Sequence, residues 1–354
     1  VSDWRNKLPS AYDYRESARA RNTGERFACV VNPKAKAGEV GARLDEIRRA
    51  VDRAFEQWEV KVSEGPGHAT ELAREAIDAG FDIIAALGGD GTCNEVVNGF
   101  FNGRLTRRRS AVYTILPWGT GSDLAKTLRA PGGLEDALWV ASTGMTLPTD
   151  VGHVEALTHD GRPFERVFIN VMGFGANGDV VDRVNKGSKR LGGKFTFYKS
   201  TVDSLMQYKP GQVKVEWEGP DGPGEWTGEL LSGFLANGAY CGGGMHVGKG
   251  GSMHDGAFDL TLLPNFGLVG NVARSWRLYD GTAWKIPGAR RAYVTKVTAR
   301  GLGDEPVLLD VDGEQPGMLP GTISVLPKSL MVRGGWIHSP LLEGEREVWR
   351  PERA

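Results

Sequence analysis

Cysteine is scarce in this chain: Cys29, Cys93 and Cys241 are the only three among 354 residues. Scattered thiols in that number build neither a disulfide framework nor a Cys-based zinc site, and they fit a reduced, cytoplasmic setting. An excess of one charge is lacking too. Lys and Arg total 43 against 44 Asp and Glu, a formal net charge of -1, which argues against a nucleic-acid partner. No apolar run approaches the roughly 18 residues of a membrane span. The opening VSDWRNKLPS has no signal-peptide core, although without an initiator Met a trimmed targeting segment stays open. The six histidines make no H-x-x-x-H or triad spacing, so a His-ligated metal is not expected. Also missing are a G-x-x-x-x-G-K-S/T P-loop and an H-R-D with D-F-G pair, which excludes the two common phosphoryl-transfer scaffolds. No internal repeat or low-complexity tract is visible.

Glycine, by contrast, is abundant at 50 residues, about twice the usual share of roughly 7%. It is most informative within residues 81–97, FDIIAALGGDGTCNEVV. The apolar run Ile83–Leu87 reads as a buried parallel strand that breaks into Gly88-Gly89-Asp90-Gly91-Thr92, and a helix is expected from Asn94. A glycine turn before a helix N-terminus suits phosphate, because free N–H groups and the helix dipole both favour anions. A carboxylate there would repel a triphosphate unless a metal ion or a hydroxyl intervenes. The local reading is a nucleotide site using Mg²⁺; the competing account is a tight turn with an N-capping Asp.

Residues 1–25 show no sustained periodicity and read as an N-terminal arm, either a loosely ordered tail or a basic arm on a membrane surface. Strands are predicted at 27–31, 59–63, 83–87 and 112–116, alternating with helices at 40–55 and 68–79 and a short one after residue 123. That alternation predicts an α/β domain over 26–147, a doubly wound parallel sheet with helices on both faces. Ligands in such sheets lie beyond the carboxyl ends of the strands, so the turns at 32–38, 88–92 and 117–123 should converge. From 148 to 334 short β-like runs predominate, predicting a mainly antiparallel β-sandwich or barrel. Lys194–Tyr208 reads as an interrupting helix, and 335–354 as a charged tail packing at the periphery, with the first domain as its nearest platform.

Several clusters carry chemistry. Asn32-Pro33 ends the first strand as a turn or a phosphate contact, and Gly38 permits close backbone approach. Gly119, Thr120, Gly121 and Asp123 repeat the hydroxyl, glycine and carboxylate of the opening turn. Asp90 and Asp123 could share Mg²⁺ with phosphate oxygens, or each could cap a helix. Gly173-Phe174-Gly175-Ala176-Asn177-Gly178 matches G-x-G-x-x-G by letter, but its β-rich surroundings favour a turn between sandwich strands. Asp182 precedes Lys186, Lys189, Arg190 and Lys194, either a solvated patch or a phosphate-neutralising cluster with Asp182 on a polar substrate group. Asp310-Val311-Asp312-Gly313-Glu314 is either a hairpin turn or a general base beside a second carboxylate. Asp255-Gly256 reads as a turn or a structural cation site.

Together these motifs resemble the diacylglycerol kinase and sphingosine kinase superfamily, specifically its soluble bacterial lipid kinases. Gly88–Thr92 with Asn94-Glu95 resembles the G-G-D-G-T-x-N-E signature, which NAD kinases share. Asn32-Pro33 through Gly38, Pro117–Ala125 with Ser122 for the usual Asn, Lys189–Lys194, and Asp312-Gly313-Glu314 resemble the lipid-kinase elements, in order. One departure is Ala37-Gly38-Glu39 where Ser-Gly-Lys is common, leaving Lys34 or Lys36 to supply the charge. The resemblance implies a nucleotide-binding kinase domain, a lipid-binding sandwich and transfer from ATP in the cleft between them. By it, Gly88, Gly89, Gly91, Thr92 and Glu95 join the ATP site, Asp90 and Asp123 position Mg·ATP, and Asp255 is a further metal candidate. Lys189, Arg190 and Lys194 contact phosphate, and Asp182 meets the lipid head. The base is contested between Asp312 and Asp90, with Glu314 beside Asp312. The implied partner is a lipid, diacylglycerol first and ceramide or a sphingoid base second, met by peripheral contact at the inner membrane face. A homodimer is compatible with it. NAD phosphorylation and a lipid- or nucleotide-binding sensor on a retired scaffold are the rivals. Arg107-Arg108-Arg109, the N-terminal arm, Trp118, Trp276 and Trp284 are the membrane-contact candidates.

Overall fold

A computed structural model describes residues 21–118, 123–186 and 208–335. In the first part, strands β1 (Asn22–Val31), β2 (Phe55–Val62), β3 (Ile83–Gly88) and β6 (Val112–Pro117) build the sheet. A small hairpin, β4 (Phe101–Asn102) and β5 (Leu105–Thr106), stands beside it. The helices are α1 (Glu39–Ala42), α2 (Leu44–Ala54), α3 (His68–Asp78), α4 (Asp90–Gly99), α5 (Asp123–Thr127) and α6 (Leu134–Thr143). The sheet runs β2-β1-β3-β6, all parallel. Because both faces of β3 are covered, its sequence is apolar throughout rather than alternating. Ile84 and Ala86 face a core with Leu72, Val96 and Val97; Ile83, Ala85 and Leu87 face one with Ile47, Val51 and Leu138.

The second part holds β7 (Met145–Leu157), β8 (Pro163–Phe168), β9 (Val171–Gly175), α7 (Ala176–Lys186), β10 (Gln212–Glu218) and β11 (Gly224–Ala236). There follow β12 (Tyr240–Cys241), β13 (Met245–His246), β14 (Phe258–Pro264), α8 (Gly267–Arg274) and α9 (Trp276–Tyr279). The last strands are β15 (Arg290–Val294), β16 (Lys296–Gly301), β17 (Leu309–Val311) and β18 (Met318–Gly334). Pairing there is antiparallel around a core that includes Phe168, Phe174, Phe258 and Ile323. The two parts share one continuous sheet through β18. This strand pairs with β7 along its length and on its other edge first with β16, then in parallel through Met331 and Val332 with Val112 and Tyr113 of β6. Where β18 shifts register between Leu326 and Leu330, the buried Asp150 accepts N–H groups from Lys328 and Gly256, each at 2.7 Å.

Three local expectations change. The helix expected over 40–55 is interrupted at Arg43 (φ -113, ψ 18) and ends at Ala54. Phe55 is buried as its spacing predicts, but it opens β2 and stacks on Phe27 with centroids 4.1 Å apart. The helix expected from Asn94 begins at Asp90, because Gly89 (ψ -174) is the last extended residue. The G-x-G-x-x-G stretch is not a turn between strands: β9 runs to Gly175 and α7 starts at Ala176. The glycines serve packing, since a Cβ on Gly173 would lie 2.2 Å from Asn177 and one on Gly175 2.7 Å from Leu231 O. The expected helix 194–208 lies outside the described residues except for Tyr208.

Candidate active site

The carboxyl edge of β1 and β3 supplies the first wall. Asn32 donates from Nδ2 to Thr92 Oγ1 at 3.1 Å and accepts the Lys34 N–H, tying the first loop to the glycine turn. After it, Lys36 (φ 50), Ala37 (φ 57) and Gly38 (φ 90) are left-handed in succession. Two non-glycine residues there cost about 1–2 kcal/mol each, strain of the sort that gathers at ligand loops. Lys36 pairs with Glu39 at 2.9 Å, while Lys34 has no ion pair among the described residues.

Gly88 has no room for a side chain, and Gly91 has room only if the end of Glu314 shifts. A Cβ on Gly88 would lie 2.5 Å from Thr92 Oγ1 and one on Gly91 2.5 Å from Glu314 Oε1, whereas Gly89 faces open space. No side chain caps α4, so its first N–H groups are available to an anion. Asp90 is therefore not the cap of its own helix. Its carboxylate lies at the start of α5, with the Asp123 and Leu124 N–H groups at 3.4 and 3.3 Å. Burial, then the charge of Asp123, pushes the Asp90 carboxyl up to about 6 against those two donors.

Asp123 is buried, its Oδ1 accepting Lys126 Nζ at 2.5 Å and its Oδ2 the Gly243 N–H at 2.6 Å. Gly243 lies between β12 and β13 in a loop where Gly242, Gly243 and Gly244 all have positive φ. Lys126 and Gly243 were not foreseen; the Gly242–Gly244 run was the available signal.

The opposite wall is the turn after β17. Asp312 (φ 52) is buried and accepts four donors: Ile169 N and Asn94 Nδ2, both at 2.8 Å, on Oδ2, and Asn170 N and Val171 N, both at 3.0 Å, on Oδ1. Burial raises its pKa and these donors oppose the rise. Two bonds per oxygen fill the lone-pair positions of a carboxylate. Asn94, quoted in the signature but not foreseen as a site residue, thus fastens α4 to the sandwich; its Oδ1 accepts Arg166 Nε at 2.9 Å. Two residues before Asp312, Asp310 accepts the Gly313 N–H on Oδ1, and its Oδ2 has no donor among the described residues. Burial first, then Asp312 and Glu314, push the Asp310 carboxyl up to about 7. The Cys241 thiol is raised by burial first and then by the charges of Asp123, Asp310 and Asp90.

The oxygen-only donors fit a Mg²⁺ ion arriving with a nucleotide, since Mg²⁺ commonly takes one or two carboxylates plus phosphate oxygens. Burial raises the carboxyls of Asp90 and Asp310, with a smaller contribution from neighbouring acids that a cation would relieve. Among the described residues no three His, Cys, Asp or Glu form a cage. Asp90 and Asp123 each have both oxygens engaged, but the bonds at Asp90 are longer, 3.3 and 3.4 Å against 2.5 and 2.6 Å, so Asp90 is the less firmly held of the two and the better candidate for the ion.

Other expectations sort plainly. Glu95 turns away from the glycine loop, accepting the Ala69 N–H at 3.2 Å at the start of α3; Gly67, the residue before that helix, has no side chain to cap it. Asp255 accepts the Ala257 N–H in the turn before β14. Asp182 stands on α7, which packs on β9 and β17. Arg107 pairs with Asp78 and Arg108 with Asp82, the Arg43 guanidinium lies over the Trp118 ring, and Arg109 is exposed. Gly119, Thr120, Gly121, Lys189, Arg190, Lys194 and residues 1–20 and 336–354 lie outside the described residues.

Two domains meeting over a glycine turn and a ring of acids are the architecture of a kinase cleft, and the relatives agree. Residues 26–154 match the diacylglycerol kinase catalytic domain, and residues 170–334 the YegS C-terminal NAD kinase beta sandwich-like domain. A Bacillus subtilis protein named diacylglycerol kinase is 28% identical over 300 residues, covering 84% of this chain and 92% of that protein. A Chromohalobacter salexigens protein named "Probable lipid kinase YegS-like" is 31% identical over 228 residues, 64% of this chain and 68% of that one. In fold, the chain is similar to a crystal structure of a Bacillus anthracis diacylglycerol kinase, with a TM-score of 0.62 at 20% identity, covering 88% of this chain and 97% of that one. The chain belongs to the diacylglycerol kinase and YegS-like family of lipid kinases. No helix among the described residues is long and apolar enough to cross a membrane.

Proposed function

We propose that this lipid kinase transfers the γ-phosphate of Mg·ATP to a hydroxyl of a membrane lipid, diacylglycerol before ceramide or a sphingoid base. The observation that carries the reading is the meeting of the two signature turns. Glu314 lies against Gly91, and Asn94 donates to Asp312 at 2.8 Å, so the phosphate turn and the acidic turn form opposite walls of one cleft. Phosphoryl transfer needs positioning and charge neutralisation more than covalent help. The α4 N–H groups and Lys34 bind phosphate oxygens, and Asp90 holds the metal. Bound there, Mg²⁺ supplies charge neutralisation and orientation of the phosphates.

Asp312, with all its acceptor positions filled, fixes the cleft. Asp310, with no donor to Oδ2 among the described residues and a carboxyl near 7, takes the proton of the lipid hydroxyl in this reading, because a general base works best with a pKa near the operating pH. The test is labelled-ATP transfer against diacylglycerol, ceramide, sphingosine, phosphatidylglycerol and NAD, each lipid dispersed in detergent. Label in phosphatidic acid is expected. Label on NAD alone would overturn the lipid reading, and label on ceramide alone the choice of substrate.

A further inference from the structure

The exposed large apolar side chains of the described residues are concentrated between 266 and 279. Leu268, Val269, Val272, Trp276 and Tyr279 are all exposed, Val269 at 82% and Trp276 at 55%. Steps of three and four residues from Val269 to Tyr279 put them on one helical stripe. Ser275, between α8 and α9, keeps helical angles (φ -60, ψ -28), so the stripe carries through both helices. An amphipathic helix normally turns such a stripe to the core; here it faces outward, and Asn271 is the buried residue of α8.

The surrounding charge is one-sided. Residues 265–291 contain Arg274, Arg277, Lys285, Arg290 and Arg291 against the single acid Asp280, in a chain whose totals otherwise balance. Arg291 is engaged with the buried Asp259. Arg274 lies over Phe266, Arg277 over Trp276 and Lys285 over Trp284, and none of the three has an ion pair among the described residues.

We propose that the α8–α9 ridge seats the protein on an anionic lipid bilayer, the stripe entering the headgroup boundary and Arg274, Arg277, Lys285 and Arg290 meeting lipid phosphates. A second copy of the chain fits worse. A two-fold interface through this ridge sets the same patch against itself and would bring the cations face to face. The ridge is also continuous with the cleft. Leu278 packs in a cluster with Val247, Ala283 and Met245, and the loop from β12 to β13 donates Gly243 N–H to Asp123. Docking therefore brings the bilayer to the element that holds an active-site carboxylate.

The proposal relies on the lipid-substrate reading for its purpose, and binding is measured without turnover. Full-length protein is sedimented with vesicles of phosphatidylcholine alone or with phosphatidylglycerol added. Expected is binding to the anionic vesicles that weakens in high salt. It should fall at least tenfold in Val269→Asp/Trp276→Ala and in Arg274→Glu/Arg277→Glu, with melting temperature and turnover of a short-chain lipid in detergent unchanged. Wild-type binding by these variants, or no binding by the parent protein, overturns it. So does a variant that lowers the melting temperature or changes the mass in solution, since the stripe would then be packed against protein. Loss of turnover in detergent by the parent protein would instead count against the kinase substrate reading.

Discussion

Asp310 and Asp312 lie two residues apart in one turn and differ in what their oxygens can still do. Asp312 receives four hydrogen bonds from two segments, Asn94 and residues 169–171, whereas Asp310 keeps Oδ2 free among the described residues. Asp310→Asn is therefore expected to lower kcat by about 10²–10⁴-fold with ATP affinity and melting temperature near those of the parent. Asp312→Asn should lose activity together with stability, because an amide nitrogen among four donors leaves buried groups unmatched, at about 1–3 kcal/mol each. Steady-state kinetics with thermal melts on both variants decide it; unaltered melting in Asp312→Asn, or normal kcat in Asp310→Asn, would reverse the roles. With its carboxyl near 7 in the protein without nucleotide, Asp310 is the base in its ionised form, so kcat/KM should fall as pH drops below about 7 and lose that inflection in Asp310→Asn.

At the scale of elements, the junction of β3 and α4 depends on two glycines for different reasons. Gly88 lies against Thr92 of the same turn, and Gly91 gives room to Glu314 of the other domain. Gly91→Ala should push the flexible end of Glu314 aside and raise KM for ATP while the fold survives. If that loss acts through Glu314, Gly91→Ala adds little in a Glu314→Ala background; full additivity would mean that the methyl group blocks the nucleotide directly. Helices α8 and α9 teach the opposite lesson about periodicity. Their apolar stripe is regular, but Gly267, Gly270, Val269 and Val272 are weak helix formers, and nothing in a stripe says whether it faces a core or a bilayer.

Across the whole molecule, burial raises the carboxyls of Asp90, Asp310 and Asp259 to about 6, 7 and 6 from the ordinary 3.8. The folded state then holds more protons than the unfolded chain between pH 3.8 and about 7, so these groups contribute stability that is lost as pH rises through that window. The protein without nucleotide should melt higher at pH 6 than at pH 8. Added Mg·ATP should raise the melting temperature more at pH 8, where the cleft acids repel one another; an equal gain at both values would contradict a site at these carboxylates.

Much of this organisation was decided locally. Continuous burial of Ile83–Leu87, the glycine break after it and the alternation of strands and helices report local backbone preference and apolar pattern, and they sufficed for an α/β unit with a phosphate turn, followed by a β-rich unit. The quoted signatures marked Asp90, Asp123, Asp312 and Glu314 for the same reason: each stands beside a turn that its own neighbours dictate. What the tertiary structure alone decided depends on partners distant in sequence. Glu95 serves α3 because a helix start with no cap of its own lies beside it. Phe55 belongs to a strand because Phe27 waits opposite. Asp312 is saturated because α4, the link between β8 and β9, and the first residue of β9 all direct donors at it, and β18 joins both domains through pairings to β7 and β6 about 160 to 220 residues away. Carboxylate chemistry is written in the residue type, but whether an oxygen is left free to act is set by the donors that folding brings to it.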